Sequence, residues 1–333
     1  MDSLFFTITF ILALSGFFNF LYKKTGISSV VYLIIAGLII GLPGIQEFII
    51  GENLKEIDLL GYFALPALMF LAGLESSWRE LYEEKKDALA IAITATLFPF
   101  FIGFCVFTLL GFEPLTSAIM GISMSIAAEA TKARVLIELK KLKTRVGAAL
   151  MGAGIIDDLI GLTIFLLITF WLGNLELKEN SLLITAVLAF LAGLIFHKIW
   201  GRDKKFIRRT EAFLLYFLAP FFFISMGLNL EISSLILNPY LLALIIILAP
   251  SATIAGTMMA KFFTNLSWKQ LYLIGWGMNS RGAIGLALAF VAFKEEFITK
   301  ELYSSLVIMA IPTTIVFPFI LKKTIARNPK IMN

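Results

Sequence analysis

Two adjacent carboxylates, Asp157 and Asp158, sit inside "GAGIIDDLIGL" (152–162), within an apolar run from Val146 to Leu172. An aspartate at the centre of a bilayer costs about 2.5–3.5 kcal/mol on insertion scales, so an acid pair there needs partners, water or a function. Neighbouring helix residues point about 100° apart, so the two cannot grip one substrate as a protease dyad does. One can face a cavity while the other faces a neighbouring helix. Burial favours the protonated form of a carboxylate and a nearby cation favours the ionised form. Carboxylate oxygen is also a hard ligand for a small hard cation. A group that holds either H⁺ or a monovalent cation, but not both, couples their movements by competition, which is antiport chemistry.

The charges that could balance the pair are Arg281 and Lys132, with Glu129 as a third acid. Arginine keeps its proton in proteins, so Arg281 can neutralise a carboxylate without joining the proton traffic. We therefore assign Asp158 as the exchanging ligand, Asp157 as a structural or second ligand, and Arg281 as the charge that balances the site. Asp158→Asn should then abolish cation-dependent proton movement. Whether Glu129 and Lys132 join the site or Lys132 only begins a loop and snorkels stays open at this level.

These residues need a membrane around them. The chain of 333 residues is 59% hydrophobic and 15% charged, with a mean hydropathy of +0.91, against about 45–50% and about 25% for soluble domains. Cys105 is the single cysteine, so neither an intrachain disulfide nor a thiolate cluster can form. The net charge of +5 speaks of topology rather than nucleic acid. Eleven segments are long and apolar enough to span: 3–22, 28–50, 57–74, 88–110, 115–138, 146–172, 181–197, 212–230, 235–260, 268–293 and 303–321. Of the 28 Lys and Arg, 23 fall in the loops and adjoining span ends of one side and 4 on the other, with Arg281 left inside a span. The basic side is cytoplasmic, which places the N-terminus outside and the C-terminus inside a plasma-membrane protein.

The spans repeat. "LPALMFLAGLE" (65–75) matches "APFFFISMGLN" (219–229), and "GISMS" (121–125) matches "GWGMN" (275–279), both 154 residues apart; "AGLI" recurs at 36–39 and 192–195. The matches map spans two to six onto seven to eleven, a shift of five that inverts the second copy. The fifth and tenth spans, partners in this scheme, carry "SMSIAAEATKARVL" (123–136) and "GWGMNSRGAIGL" (275–286). Small and polar residues at that depth predict discontinuous helices, whose freed backbone groups serve an ion site. Ser125, Glu129, Thr131 and Asn279 lie at these interruptions.

"GAGIIDDLIGL", with "ATKARVLIELKKLKTRVG" (130–147), "PFFFISMGLNL" (220–230) and "GMNSRGAIGL" (277–286), resembles the monovalent cation:proton antiporter superfamily, in its paired-aspartate NapA-type and Kef-type branch. The resemblance implies an all-α membrane fold of the NhaA/NapA type with inverted five-helix repeats and two crossed, discontinuous helices. It implies a homodimer, with core ion-translocation helices over 57–172 and 212–325 and dimerisation or scaffold helices over 1–50 and 181–200. It further implies elevator-like alternating access, exchange of Na⁺ (or K⁺ or Li⁺) for more than one proton, no cofactor, no resident metal and no enzymatic activity. By that comparison Asp158 is the ion-binding aspartate, and Asp157 pairs with Arg281. The sequence departs from the family in having eleven spans rather than about thirteen, in Glu129 and Lys132, and in carrying no C-terminal nucleotide-binding domain. A sodium-coupled organic anion symporter of the bile-acid type is the runner-up. An intramembrane aspartyl protease is disfavoured because the acids form an adjacent pair and no second aspartate lies in the interior of a span.

Overall fold

The computed structural model describes residues 3–25, 27–75, 85–127, 129–172, 182–200, 204–231, 233 and 238–332, and every element among them is helical. Helix α1 spans Ser3–Thr25, α2 Ser29–Ile40, α3 Ile45–Ile49, α4 Leu54–Glu75 and α5 Lys85–Leu109. Next come α6 Pro114–Ser123, α7 Glu129–Glu138, α8 Arg145–Leu172 and α9 Leu182–Trp200. Then follow α10 Lys204–Phe213, a π-helical turn over Leu214–Leu218, α11 Ala219–Leu228, α12 Pro239–Met259, α13 Trp268–Gly277, α14 Ala283–Lys294 and α15 Lys300–Arg327.

Seven of these helical stretches are long and apolar enough to cross a bilayer unaided, and the chain is a multi-pass membrane protein. The other four expected spans are shorter pieces. The span expected at 28–50 stops at Ile40, because Pro43 lacks a backbone donor and Gly44 turns the chain at φ +83°, so only the short α3 follows. The spans expected at 115–138 and 268–293 are each broken in two, as α6/α7 and α13/α14. A further boundary moved outward by more than a turn. The basic stretch "KKFIRR" (204–209), expected in a loop, is helical in α10 and runs on through the π turn into α11. Its strong segregation of polar and apolar residues makes it a helix that loop-like composition conceals.

The chain packs as two compact units, one of Met1–Ser76 with Asn180–Ile232 and one of Ser77–Glu179 with Ser233–Asn333. Helices α4 and α11, grouped above with the core spans, pack in the first unit.

In the first unit α2 packs on α11 and α4 on α9, and both crossings are glycine against backbone from each side. A Cβ on Gly37 would meet the Ile224 carbonyl oxygen at 2.3 Å, and one on Gly227 the Ile34 carbonyl oxygen at 2.3 Å. Likewise a Cβ on Gly73 would meet the Phe190 oxygen at 2.1 Å, and one on Gly193 the Phe70 oxygen at 2.1 Å. Backbone cannot swing aside as a side chain does. We predict that Gly73→Ala destabilises the protein by about 1–3 kcal/mol, the usual cost of overpacking, whereas Gly16→Ala, with nothing within 4 Å of its Cβ, is neutral. Melting of the two variants in detergent checks this, and equal melting temperatures would refute it.

Polar contacts tie the same unit together. The Asp58 carboxylate on α4 accepts from Ser225 Oγ at 2.6 Å and Asn229 Nδ2 at 2.9 Å on and just past α11. His197 Nδ1, on α9, lies 2.6 Å from the carbonyl oxygen of Leu74 near the end of α4. The lone histidine thus stands at a helix end, as a boundary residue does.

In the second unit α5 packs against α6, α8 and α12, and α12 against α13. Ile91, Ala95, Leu136, Ala149, Leu150, Leu273 and Phe317 belong to one buried apolar cluster that joins α5, α7, α8, α13 and α15. That cluster holds the two broken helices beside the middle of α8.

Candidate functional site

Asp157 and Asp158 lie halfway along the 28 residues of α8, and both are buried. Two glycines let the neighbouring helices approach α8 here. A Cβ on Gly161 would meet Ile126 Cδ1 at 2.5 Å, and one on Gly277 would meet Leu150 Cδ1 at 2.6 Å. The first contact seats the break between α6 and α7, and the second seats α13.

Asp157 commits both oxygens to protein donors. Thr96 of α5 donates its hydroxyl to Oδ1, and the Ala127 N–H in the first break donates to Oδ2 at 2.8 Å. Thr96 otherwise follows the helical habit of bonding the carbonyl four residues back, at Ala92. The Ala127 N–H lies in the break just ahead of α7, where backbone donors have no partner within a helix, and the carboxylate takes the place of the missing turn.

Arg281 lies in the second break, between α13 and α14, and is 4% exposed. Its Nη1 donates to the carbonyl oxygen of Ile126 at 2.9 Å, so the guanidinium of one break caps the backbone of the other. Nη2 donates to Thr253 Oγ1 of α12 at 3.2 Å and to Asn279 Oδ1 at 3.5 Å. Nε is buried without a hydrogen-bond partner among the described residues, and Arg281 also lines a small, partly open pocket with Ser123, Gly285, Ala289 and Ala310. The two break segments therefore face each other, with Arg281 spanning the gap.

Lys132 settles one question the sequence left open. It does not snorkel; its side chain is fully buried, and Nζ lies 3.8 Å from Met278 Sδ at the end of α13. A thioether is a weak acceptor, so the ammonium stays mostly electrostatic in effect. Lys132 and Arg281 both act on Asp157 through their charge. Arg281 reaches it through space, since the hydrogen bonds found for the guanidinium go to Ile126, Thr253 and Asn279.

Among the accessory residues, Ser125 donates to the Ile122 carbonyl at 2.8 Å, closing the end of α6. Asn279 donates to the Gly275 carbonyl at 3.0 Å and the Pro250 carbonyl at 3.3 Å, closing the end of α13. Glu129 and Thr131 have helical backbone in α7, and their side chains lie outside the described residues. The structure thus brings Asp157, Asp158, Lys132, Arg281, Ser125 and Asn279 to the two breaks.

Three residues at the breaks escaped the sequence reading: Thr96, Thr253 and Thr314. Thr314 of α15 accepts from the Arg281 N–H at 3.2 Å and donates to the Arg281 carbonyl at 3.0 Å. A signal for it exists in the polar pair Thr313-Thr314 between Pro312 and Pro318. Thr96 and Thr253 leave no such mark, because threonine in an apolar helix ordinarily bonds its own backbone.

Known proteins share this architecture. The chain is similar to the sodium proton antiporter MjNhaP1 from Methanocaldococcus jannaschii, with a TM-score of 0.67 and 16% identity, covering 97% of each chain. That likeness concerns the fold. By sequence it is 24% identical over 381 residues to the Na(+)/H(+)-K(+) antiporter GerN of Bacillus cereus, covering 98% of both. It is 23% identical over 361 residues to an Na(+)/H(+) antiporter of Enterococcus hirae, covering 90% of this chain and 92% of that one. The family profile described as sodium/hydrogen exchanger, transmembrane, matches residues 7–210 and 182–327, which together span nearly the whole chain. With two broken helices facing each other beside a buried acid pair, and with that match along its length, the chain belongs to the sodium/hydrogen exchanger family.

Proposed function

We propose that this chain exchanges a monovalent cation, Na⁺ in the first instance, for protons by alternating access, and that H⁺ and the cation compete for Asp158. The observation that carries the assignment is the commitment of Asp157. Both of its oxygens serve Thr96 and Ala127, so it braces the first break, and the exchanging role goes to its buried neighbour Asp158, the ion-binding position that the family resemblance implies. Lys132 and Arg281 balance the two carboxylates, and the freed backbone at both breaks supplies carbonyl ligands. The family and the names of the relatives support Na⁺/H⁺ exchange; the name of GerN adds K⁺.

The inverted repeat belongs to the same proposal. Its support is that equivalent positions do equivalent things. The glycine crossings pair Gly37 with Gly227 and Gly73 with Gly193, at offsets of 156 and 154 between counterparts. A Cβ on Gly121 would strike Phe100, and one on Gly275 would strike Ile254, each pair shifted by 154. Lys140 and Glu296, two residues beyond α7 and α14, both adopt positive φ, at 56° and 60°. We also place the chain in the cell membrane with its N-terminus outside, on the strength of the lysine and arginine distribution, and as the homodimer that the family resemblance implies. Translocation is assigned to the second unit, which holds both breaks and the acid pair. Nothing in the chain or its relatives supports the bile-acid type of symporter.

Proteoliposomes loaded with acid test the proposal. Adding Na⁺, Li⁺ or K⁺ outside should drive protons out at clamped voltage, and the cation giving the fastest exit identifies the substrate. Absence of proton movement with all three would refute it.

A further inference from the structure

The two breaks are held by the same device built from different chemistry. In the first, the Ala127 N–H donates to Asp157 of α8. In the second, the Arg281 N–H donates to Thr314 of α15. Ala127 and Arg281 are 154 residues apart, the offset of the sequence repeat, and Asp157 and Thr314 are 157 apart. Thr314 therefore stands where the first repeat has its bracing carboxylate.

The threonine does more than the position requires. Its hydroxyl also donates back to the Arg281 carbonyl, so one oxygen satisfies both backbone groups of a single residue at membrane depth. Thr313, its neighbour, bonds Met309 and Ala310 of its own helix, as threonines in apolar helices do. Thr314 is 4% exposed, and water has little access to replace it.

We propose that Thr314 is a positioning residue for exchange. By clamping the Arg281 backbone it fixes where the guanidinium can reach, and hence holds its charge over the Ile126 carbonyl and opposite Asp157. A hydroxyl suits this task because it both donates and accepts. A carboxylate there would accept only and would add a second acid to the crossing.

The inference rests on the exchange reading for its functional readout, and its structural readout is independent. The full chain is reconstituted as wild type, Thr314→Val and Thr314→Ser. Valine keeps the shape and removes both bonds, leaving two buried backbone groups unsatisfied. With a penalty of that kind concentrated at the site, the maximal exchange rate should fall roughly tenfold. The apparent KM for Na⁺ should fall as well, because a guanidinium that drifts away no longer opposes an incoming cation. Serine should restore both. Loss of folded protein alone would lower the rate without moving KM.

Wild-type rate and KM in Thr314→Val, or a serine variant as impaired as valine, would overturn the proposal. Wild type without exchange would sink the exchange reading instead. The clamp is then judged by cryo-electron microscopy of Thr314→Val, where the guanidinium should leave the Ile126 carbonyl; a guanidinium still in place would overturn it. If the valine variant cannot be purified, Thr314→Cys, a weak donor of similar size, takes its place with the same readings.

Discussion

Asp158→Asn should reduce cation-driven proton movement in proteoliposomes to the rate of protein-free vesicles while leaving the protein folded. The amide is nearly the same size, so packing on α8 survives. What is lost is the ability to bind a proton at one moment and a cation at the next, and with it the competition that couples the two flows. In the wild type the same competition requires the apparent KM for Na⁺ to rise as pH falls. Asp157→Asn should behave differently. It disturbs the acceptor that Thr96 and the Ala127 N–H share, so it should lower stability before it changes coupling. Normal exchange in Asp158→Asn would show that another group carries the proton.

The second large effect concerns Arg281. Replacing it by methionine keeps the bulk and removes the charge, leaving the Ile126 carbonyl without its donor and Asp157 without one of its two balancing cations. Leaving a buried acceptor such as that carbonyl unsatisfied costs about 1–3 kcal/mol. A loss of that size should appear as poor recovery of folded protein and a melting temperature well below wild type. The double variant with Asp157→Asn should recover part of the loss, because the acid no longer needs neutralising. If the two losses simply add, the guanidinium and the carboxylate are not energetically coupled, and Lys132 alone balances Asp157.

The aspartate pair, the arginine and the two interruptions were legible in the sequence because each violates what lipid demands. Charge and small polar residues inside apolar spans are costly, so their presence marks a site. The seven long spans were legible for the converse reason, since about 20 apolar residues in a row have few other uses. Composition cannot show where a side chain spends its hydrogen bonds. Whether Lys132 turns outward or inward depends on the room beside Met278, which only packing determines. Thr96 and Thr253 look like any threonine in an apolar helix until a partner helix is placed beside them. The helical start of α10 was hidden by "KKFIRR", whose charges read as loop although one face is apolar.

The interruptions also bear on how the protein enters the membrane during synthesis. Helix α6 has ten residues, so it rises about 15 Å and covers half of a hydrocarbon layer about 30 Å thick. The segment from Pro114 to Glu138 cannot partition into lipid as an independent unit, because its broken middle exposes backbone that lipid leaves unsatisfied. The groups that complete it are made far later in the chain, Arg281 for the Ile126 carbonyl and Thr314 to hold Arg281. A ribosome that has finished α8 has therefore released a half-built crossing, which must wait at the insertion machinery or remain labile until the last helix arrives. Chains truncated after Leu172 should leave residues 114–138 open to protease in microsomes, and full-length chains should protect them. Equal protection in both would mean that the first crossing seals without the second.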